Sequence, residues 1–167
     1  SSIMRARREA GLLGRKVGKG YYSYEGGKQA VPDEAPAPAY DGRPVWISGV
    51  EEEGAKALTD IVEGAGASLD RGETPGADSL ILVTPIGEDI TTTATKQGLD
   101  PERTLGVDTL VGLKTRRTVM TNPATKAEFR DAAHGLMVKD GVKATVIRDC
   151  PGFIGQRVIS MICNIGC

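Results

Sequence analysis

Between residues 44 and 148 the chain alternates short apolar runs of strand length with stretches whose apolar residues recur at helical spacing, which restricts it to a small set of folds. The strongest run is 79–84 (SLILVT). It shows no polar alternation, the pattern of a strand covered on both faces. Further strands are expected at 45–48, 67–70, 104–110, 118–121 and 144–148. Between them, 51–63 places Ala55, Leu58, Ile61 and Val62 on one helical face. Residues 87–98 form a weaker helix, and 124–140 aligns Phe129, Ala133, Leu136 and Met137. This order predicts an α/β domain over 44–149: a Rossmann-like, mostly parallel sheet with helices on both faces. A flavodoxin-like sheet is the alternative. An extended N-terminal arm precedes the domain, and an apolar helix from 153 onward follows it.

Residues 1–25 are a basic lead-in, too glycine-rich from Gly11 onward for a regular helix, and Tyr21, Tyr22 and Tyr24 need something to pack on. Residues 26–43 read as a linker held extended by Pro32, Pro36 and Pro38. The start without Met and the apolar run reaching Cys167 read as a slice of a longer polypeptide. A net charge of −1 with intermixed signs gives no electrostatic case for nucleic acid or an anionic membrane surface. No apolar run approaches the ~20 residues of a membrane span. Cys150, Cys163 and Cys167 lack a second pair or a nearby His to complete a metal site; they read as buried free thiols in a reducing cytoplasm.

The first strand-to-helix turn decides whether such a domain can hold a dinucleotide. The GxGxxG pattern lets the backbone approach the pyrophosphate at a helix N-terminus. Here the turn reads SGVEEEG. Gly49 and Gly54 fit the outer glycines, but Glu51 takes the middle place, followed by Glu52 and Glu53. Two like charges at ~4 Å in an effective dielectric near 20 repel by about 4 kcal/mol, so the turn opposes a phosphate. Asp70 lies where a dinucleotide domain carries its ribose-binding acid, and reads otherwise as a strand-end acid. His134, the single histidine, sits mid-helix with no nucleophile to serve, and reads as a half-buried or surface residue. Glu88, Asp89 and Thr91–Thr93 should lie at the carboxyl end of the central strand, Asp89 capping the next helix and Glu88 complementing its dipole. Arg116 and Arg117 read as a solvated turn.

Two motifs flank the domain: GRKVGKGYYSY (14–24) and RDCPGFIGQRV (148–158). The first resembles the signature that closes the helical domain of 3-hydroxyacyl-CoA dehydrogenases. The second resembles that family's hinge into the helical domain. In a single-copy enzyme the hinge comes first. The reversed order here implies the long two-module bacterial layout, similar to members of phenylacetate and fatty-acid degradation. Residues 1–25 would then end one helical domain, 26–43 link, 44–149 form a second, degenerate nucleotide domain, and 150–167 begin a second helical domain. The resemblance implies a parent enzyme that oxidises 3-hydroxyacyl-CoA with NAD, the cofactor sitting in the earlier module.

Carried over residue by residue, the family's His–Glu dyad falls on Asp108 and Thr118, so no catalytic residue and no bound cofactor are expected in this chain. In the hinge motif Pro151, Gly152, Phe153 and Arg157 match, and Gln156 stands where the family carries Asn. The expectation is a non-catalytic structural module, reaching acyl-CoA through its parent and homo-oligomeric through its helical segments. The alternatives are a non-enzymatic acyl-CoA or nucleotide-binding domain and an unrelated flavodoxin-like interaction domain.

Overall fold

The computed structural model describes residues 2–26, 28–29 and 34–166; Pro32 and Cys167 lie outside this set. The chain divides into two units, Ser1–Pro36 and Ala37–Cys167. In the first, helix α1 (Ser2–Glu9) leads to a 3-10 turn and to a two-stranded antiparallel ladder, β1 (Tyr24–Glu25) with β2 (Lys28–Gln29). The helix does not continue into the glycine-rich stretch, where Gly14 and Gly18 take φ of 75° and 69°. Two of the tyrosines pack on arginines: the Arg7 guanidinium lies 3.4 Å from the Tyr21 ring centre, and that of Arg15 lies 5.9 Å from Tyr24.

The second unit runs β3 (Val45–Ile47), α2 (Glu52–Gly64), β4 (Leu69–Asp70), β5 (Leu80–Val83), α3 (Ile90–Gln97), β6 (Thr104–Val107), β7 (Arg116–Met120), α4 (Ala127–Val138), β8 (Lys143–Ile147) and α5 (Ile154–Gly166). One sheet takes all six strands in the order β4-β3-β5-β6-β7-β8. Every pairing is parallel except β6 with β7. The faces follow from handedness. Crossovers between parallel strands are right-handed, so α2, moving toward β4, and α3, moving the other way, fall on opposite faces. β7 and β8 run against the others, which returns α4 to the face of α2. The core agrees. Leu58 and Val62 of α2 and Phe129, Leu136 and Met137 of α4 pack with Val45, Leu80, Leu82 and Leu105. On the other face Ile90 of α3 packs with Val83, Met120 and Phe153. This is the expected α/β architecture with helices on both faces.

The link from β4 back across β3 to β5 contains no helix. The six-stranded dinucleotide sheet carries two strands beyond its first on this side; here there is one. Asp70 holds the shortened return, accepting from the Gly72 and Gly76 N–H groups (3.0 and 2.7 Å) and from the Ser79 hydroxyl (2.6 Å).

Several boundaries and environments differ from the sequence reading. β7 begins at Arg116, so Arg116 and Arg117 are strand residues rather than a solvated turn, and Arg117 is buried. Helix α3 begins at Ile90 because Asp89 stays extended as its N-cap. Cys150 is half-buried and Cys163 exposed, so neither is the buried thiol expected. From Ala37 the stretch read as linker contributes to the core, since Tyr40 packs there and the Arg43 guanidinium lies 4.0 Å over the Phe129 ring. Gly135 permits this approach: a Cβ there would stand 2.6 Å from the Pro38 carbonyl oxygen and the Tyr40 nitrogen. Among the described residues, no helix is long and apolar enough to cross a membrane.

Candidate functional site

In an open doubly wound sheet, ligands bind outside the carboxyl ends of the strands where the winding reverses. Here that point lies between β3 and β5. A cleft of about 420 Å³ opens there, lined among others by Ser48, Glu51, Thr84, Glu88, Lys96 and Gln97. Ser48 is buried and donates to the Gln97 Oε1 (2.6 Å), tying the end of β3 to α3. Lys96 pairs with Glu88. Asp89 caps α3, accepting from the Thr92 N–H (2.7 Å), and that bond holds its carboxyl below the usual range. Asp89 is thus the cap its position suggested, whereas Glu88 lies before the first turn of α3 and pairs with Lys96 rather than sitting in that turn.

The phosphate turn keeps part of the dinucleotide pattern and loses the rest. Gly54 retains the packing role of the last glycine: a Cβ there would fall 2.6 Å from Thr84 Oγ1 and 2.7 Å from Thr109 Oγ1, so α2 can close on β5 only without one. Gly49 has open space around it. Glu51 is the N-cap of α2 but its side chain caps nothing, and Glu51, Glu52 and Glu53 are all exposed at the positive end of the helix. The ribose-acid place is also taken. Both Asp70 oxygens are engaged within the β4–β5 loop, and the Ser79 hydroxyl foremost holds that carboxyl below the usual range. The turn thus departs from the dinucleotide pattern at Glu51, and Asp70 is committed to its own loop.

Asp108, just past the end of β6, comes beside Thr118 of β7, the Asp108 N–H donating to the Thr118 carbonyl (3.0 Å). Asp108 is 1% exposed. Its Oδ1 accepts from the N–H groups of Leu110 (3.1 Å) and Val111 (3.3 Å) and from the Gln156 side-chain amide (3.1 Å). Gln156, buried on the first turn of α5, also donates to the Pro85 carbonyl (3.2 Å) and accepts from the Gly87 N–H (2.9 Å). One side chain thereby joins α5 to the ends of β5 and β6. The rest of the hinge motif serves the same join. Phe153 is fully buried, and Gly106 leaves it room, since a Cβ there would stand 3.2 Å from the Phe153 ring. Gly152 takes φ of 71° and its N–H donates to the Glu88 carbonyl (3.2 Å). Pro151 and Arg157 are exposed, and His134 is half-buried mid-helix.

Asp149, in the same motif, was not singled out from the sequence. Its carboxylate accepts from the N–H groups of Ile90 (2.7 Å) and Thr91 (3.2 Å) and from the Thr91 hydroxyl. Ser48, Thr84, Lys96 and Gln97 were also missed; Ser48 and Thr84, each the last residue of an apolar run, carried the one available signal. Among the described residues no cluster of His, Cys, Asp and Glu could hold a metal ion.

No protein-family model matches the chain, and no curated protein matches it. Solved structures do. One is a 5-formyl-3-hydroxy-2-methylpyridine 4-carboxylic acid 5-dehydrogenase, an NAD+-dependent dismutase, at 15% identity and a TM-score of 0.46, covering 72% of this chain and 54% of that one. Another is FadB2 of M. tuberculosis, at 17% identity and a TM-score of 0.47, covering 74% of this chain and 44% of that one. The chain thus spans about half the length of either. The likeness is weak, and the α/β architecture stands on the strand order and its flanking helices.

Proposed function

We propose that residues 37–167 form a non-catalytic, Rossmann-like module of an NAD-dependent 3-hydroxyacyl-CoA dehydrogenase, whose cofactor and catalytic dyad belong to another module of the parent protein. One observation carries this reading: Asp108, at the place of the catalytic base, and Gln156, at the hinge place, are both buried and hydrogen-bonded to each other. A base must reach the proton it removes. Asp108 is closed off by three donors, and Gln156 has its amide committed to the protein. What these side chains do instead is fix the direction in which α5 leaves the sheet. The module's contribution is therefore structural, orienting the helical segment that follows.

Calorimetry on the whole chain with NADH at millimolar concentration tests this. No saturable heat is expected, because Glu51–Glu53 and the committed Asp70 leave neither phosphate nor ribose a place. Saturable NADH binding would sink the reading. The cleft at the winding reversal supports a second one, a binding domain without chemistry. Saturable heat with an acyl-CoA but none with NADH would move the conclusion there.

A further inference from the structure

Residues 85–88 join β5 to α3 and are used on two sides. Pro85, Ile86 and Glu88 line the cleft at the winding reversal. The Glu88 carboxylate pairs with Lys96 and accepts from Thr93 Oγ1 (3.4 Å), two further residues of the same lining. The backbone of 85–88 is held from elsewhere, by the hinge segment. Gln156 donates to the Pro85 carbonyl (3.2 Å) and accepts from the Gly87 N–H (2.9 Å), and the Gly152 N–H donates to the Glu88 carbonyl (3.2 Å). Among the described residues, the 85–88 backbone makes no hydrogen bond to the sheet or to α2. Gly87 turns the segment at a φ of 75°, and Gly152 comes so near that a Cβ there would stand 3.3 Å from the Gly87 Cα. Phe153, fully buried, anchors the start of α5. Gln156 is the one buried residue within α5 among those described.

We propose that residues 85–88 are a relay between the seating of α5 and the width of the cleft. With α5 seated, Gln156 holds the segment against the hinge and so fixes one wall of the cleft. A tilt of α5 about Phe153 draws the Gln156 amide away from Pro85 and Gly87 together. That leaves the segment without its main backbone anchor and lets Pro85 and Ile86 shift relative to α3. The relay has two arrangements rather than a continuum, because a single amide makes both bonds or loses both. Linkage makes the coupling reciprocal: an occupant that displaces Ile86 weakens the grip of Gln156 on the segment and loosens α5. The relay does not rest on the proposed function, and NADH binding would leave it untouched.

Thiol reactivity of Thr93→Cys, in a chain with Cys150, Cys163 and Cys167 replaced by serine, tests it. Thr93 lines the cleft and is 4% exposed, so a maleimide reaches a cysteine there only as fast as the cleft opens. Gln156→Ala should raise the rate about tenfold, the effect of a buried hydrogen bond removed from the seated state. If the alanine variant unfolds, Gln156→Asn, polar but too short to hold both groups, gives the same reading. Leu136→Ala opens a cavity in the core on the other face of the sheet and should leave the rate within about twofold. The reverse arm is amide exchange: a maleimide adduct at Thr93→Cys should speed exchange at Gly87 and Gly152 and leave Leu105 unchanged. A folded Gln156 variant with an unchanged rate overturns the relay, as does an equal rise in Leu136→Ala. Exchange at Gly87 and Gly152 that ignores the adduct overturns it too.

Discussion

Arg117 brings a permanent positive charge into the sheet with only 3% of its surface exposed. It is tolerated because each part of the guanidinium is used. Nε donates to the Leu113 carbonyl (3.0 Å), Nη1 to the Met137 carbonyl (2.7 Å) and Asp140 Oδ1 (2.8 Å), and Nη2 to Asp140 Oδ2 (2.6 Å). The Arg117 hydrogen bonds hold the Asp140 carboxyl below its usual range. A carboxyl lowered in the folded state adds stability above its unfolded pKa of ~4 and loses it as pH falls through the lowered folded value. Asp140→Ala leaves the buried charge without its counter-ion and should cost about 3 kcal/mol at neutral pH. Because the variant lacks that titration, its stability should fall less steeply below pH ~4. Urea unfolding at a series of pH values measures both effects; a variant as stable as the parent at neutral pH would refute this account. The doublet was misread as a turn for a physical reason. Two adjacent arginines look solvated until the strand's alternation sends one inward, and the carboxylate that receives it lies 23 residues away.

At the scale of elements, α3 shows what sequence spacing could and could not reveal. Its eight residues are too few to be stable alone in water. The three N–H groups at its start are all satisfied: Asp89 accepts from Thr92, and Asp149 accepts from Ile90 and Thr91. The Asp89 cap was legible because it is local. The Asp149 cap was not, because 59 residues separate it from Ile90. Asp149→Ala should destabilise the domain by about 1–2 kcal/mol. It should also speed amide exchange at Ile90 and Thr91 more than at Leu105 in the central sheet. Equal acceleration at all three would mean that Asp149 is not a cap. The same distinction runs through the candidate site. Gly54 and Glu51 could be read from order along the chain, and the resemblance alone singled out Asp108 and Thr118. The Gln156 bridge spans 48 residues to Asp108 and 69 to Gly87, and only the folded sheet brings them together.

At the scale of the whole molecule, the domain boundary separates composition from contact. Proline and glycine content puts the end of the linker at residue 43, whereas contacts put the division between Pro36 and Ala37. The difference lies in residues 37–43, an extended strap with no helical or strand pattern, which sequence periodicity cannot distinguish from a tether. The strap supplies Tyr40 to the core, the Arg43 guanidinium over Phe129 and the backbone that Gly135 admits. Residues before it supply no comparable core, since none of the described residues up to Pro36 is buried. Two truncations therefore have different outcomes. A chain beginning at Ala37 should unfold cooperatively within about 2 °C of the full chain, a shift worth well under 1 kcal/mol in a domain of this size. A chain beginning at Pro44 loses the tyrosine packing and the cation–π contact, together about 2 kcal/mol, and should melt about 5–10 °C lower. Thermal unfolding followed by circular dichroism separates the cases. If both truncations melt alike, the strap is a tether and composition placed the boundary correctly; if only the second falls, Tyr40 and Arg43 belong to the fold.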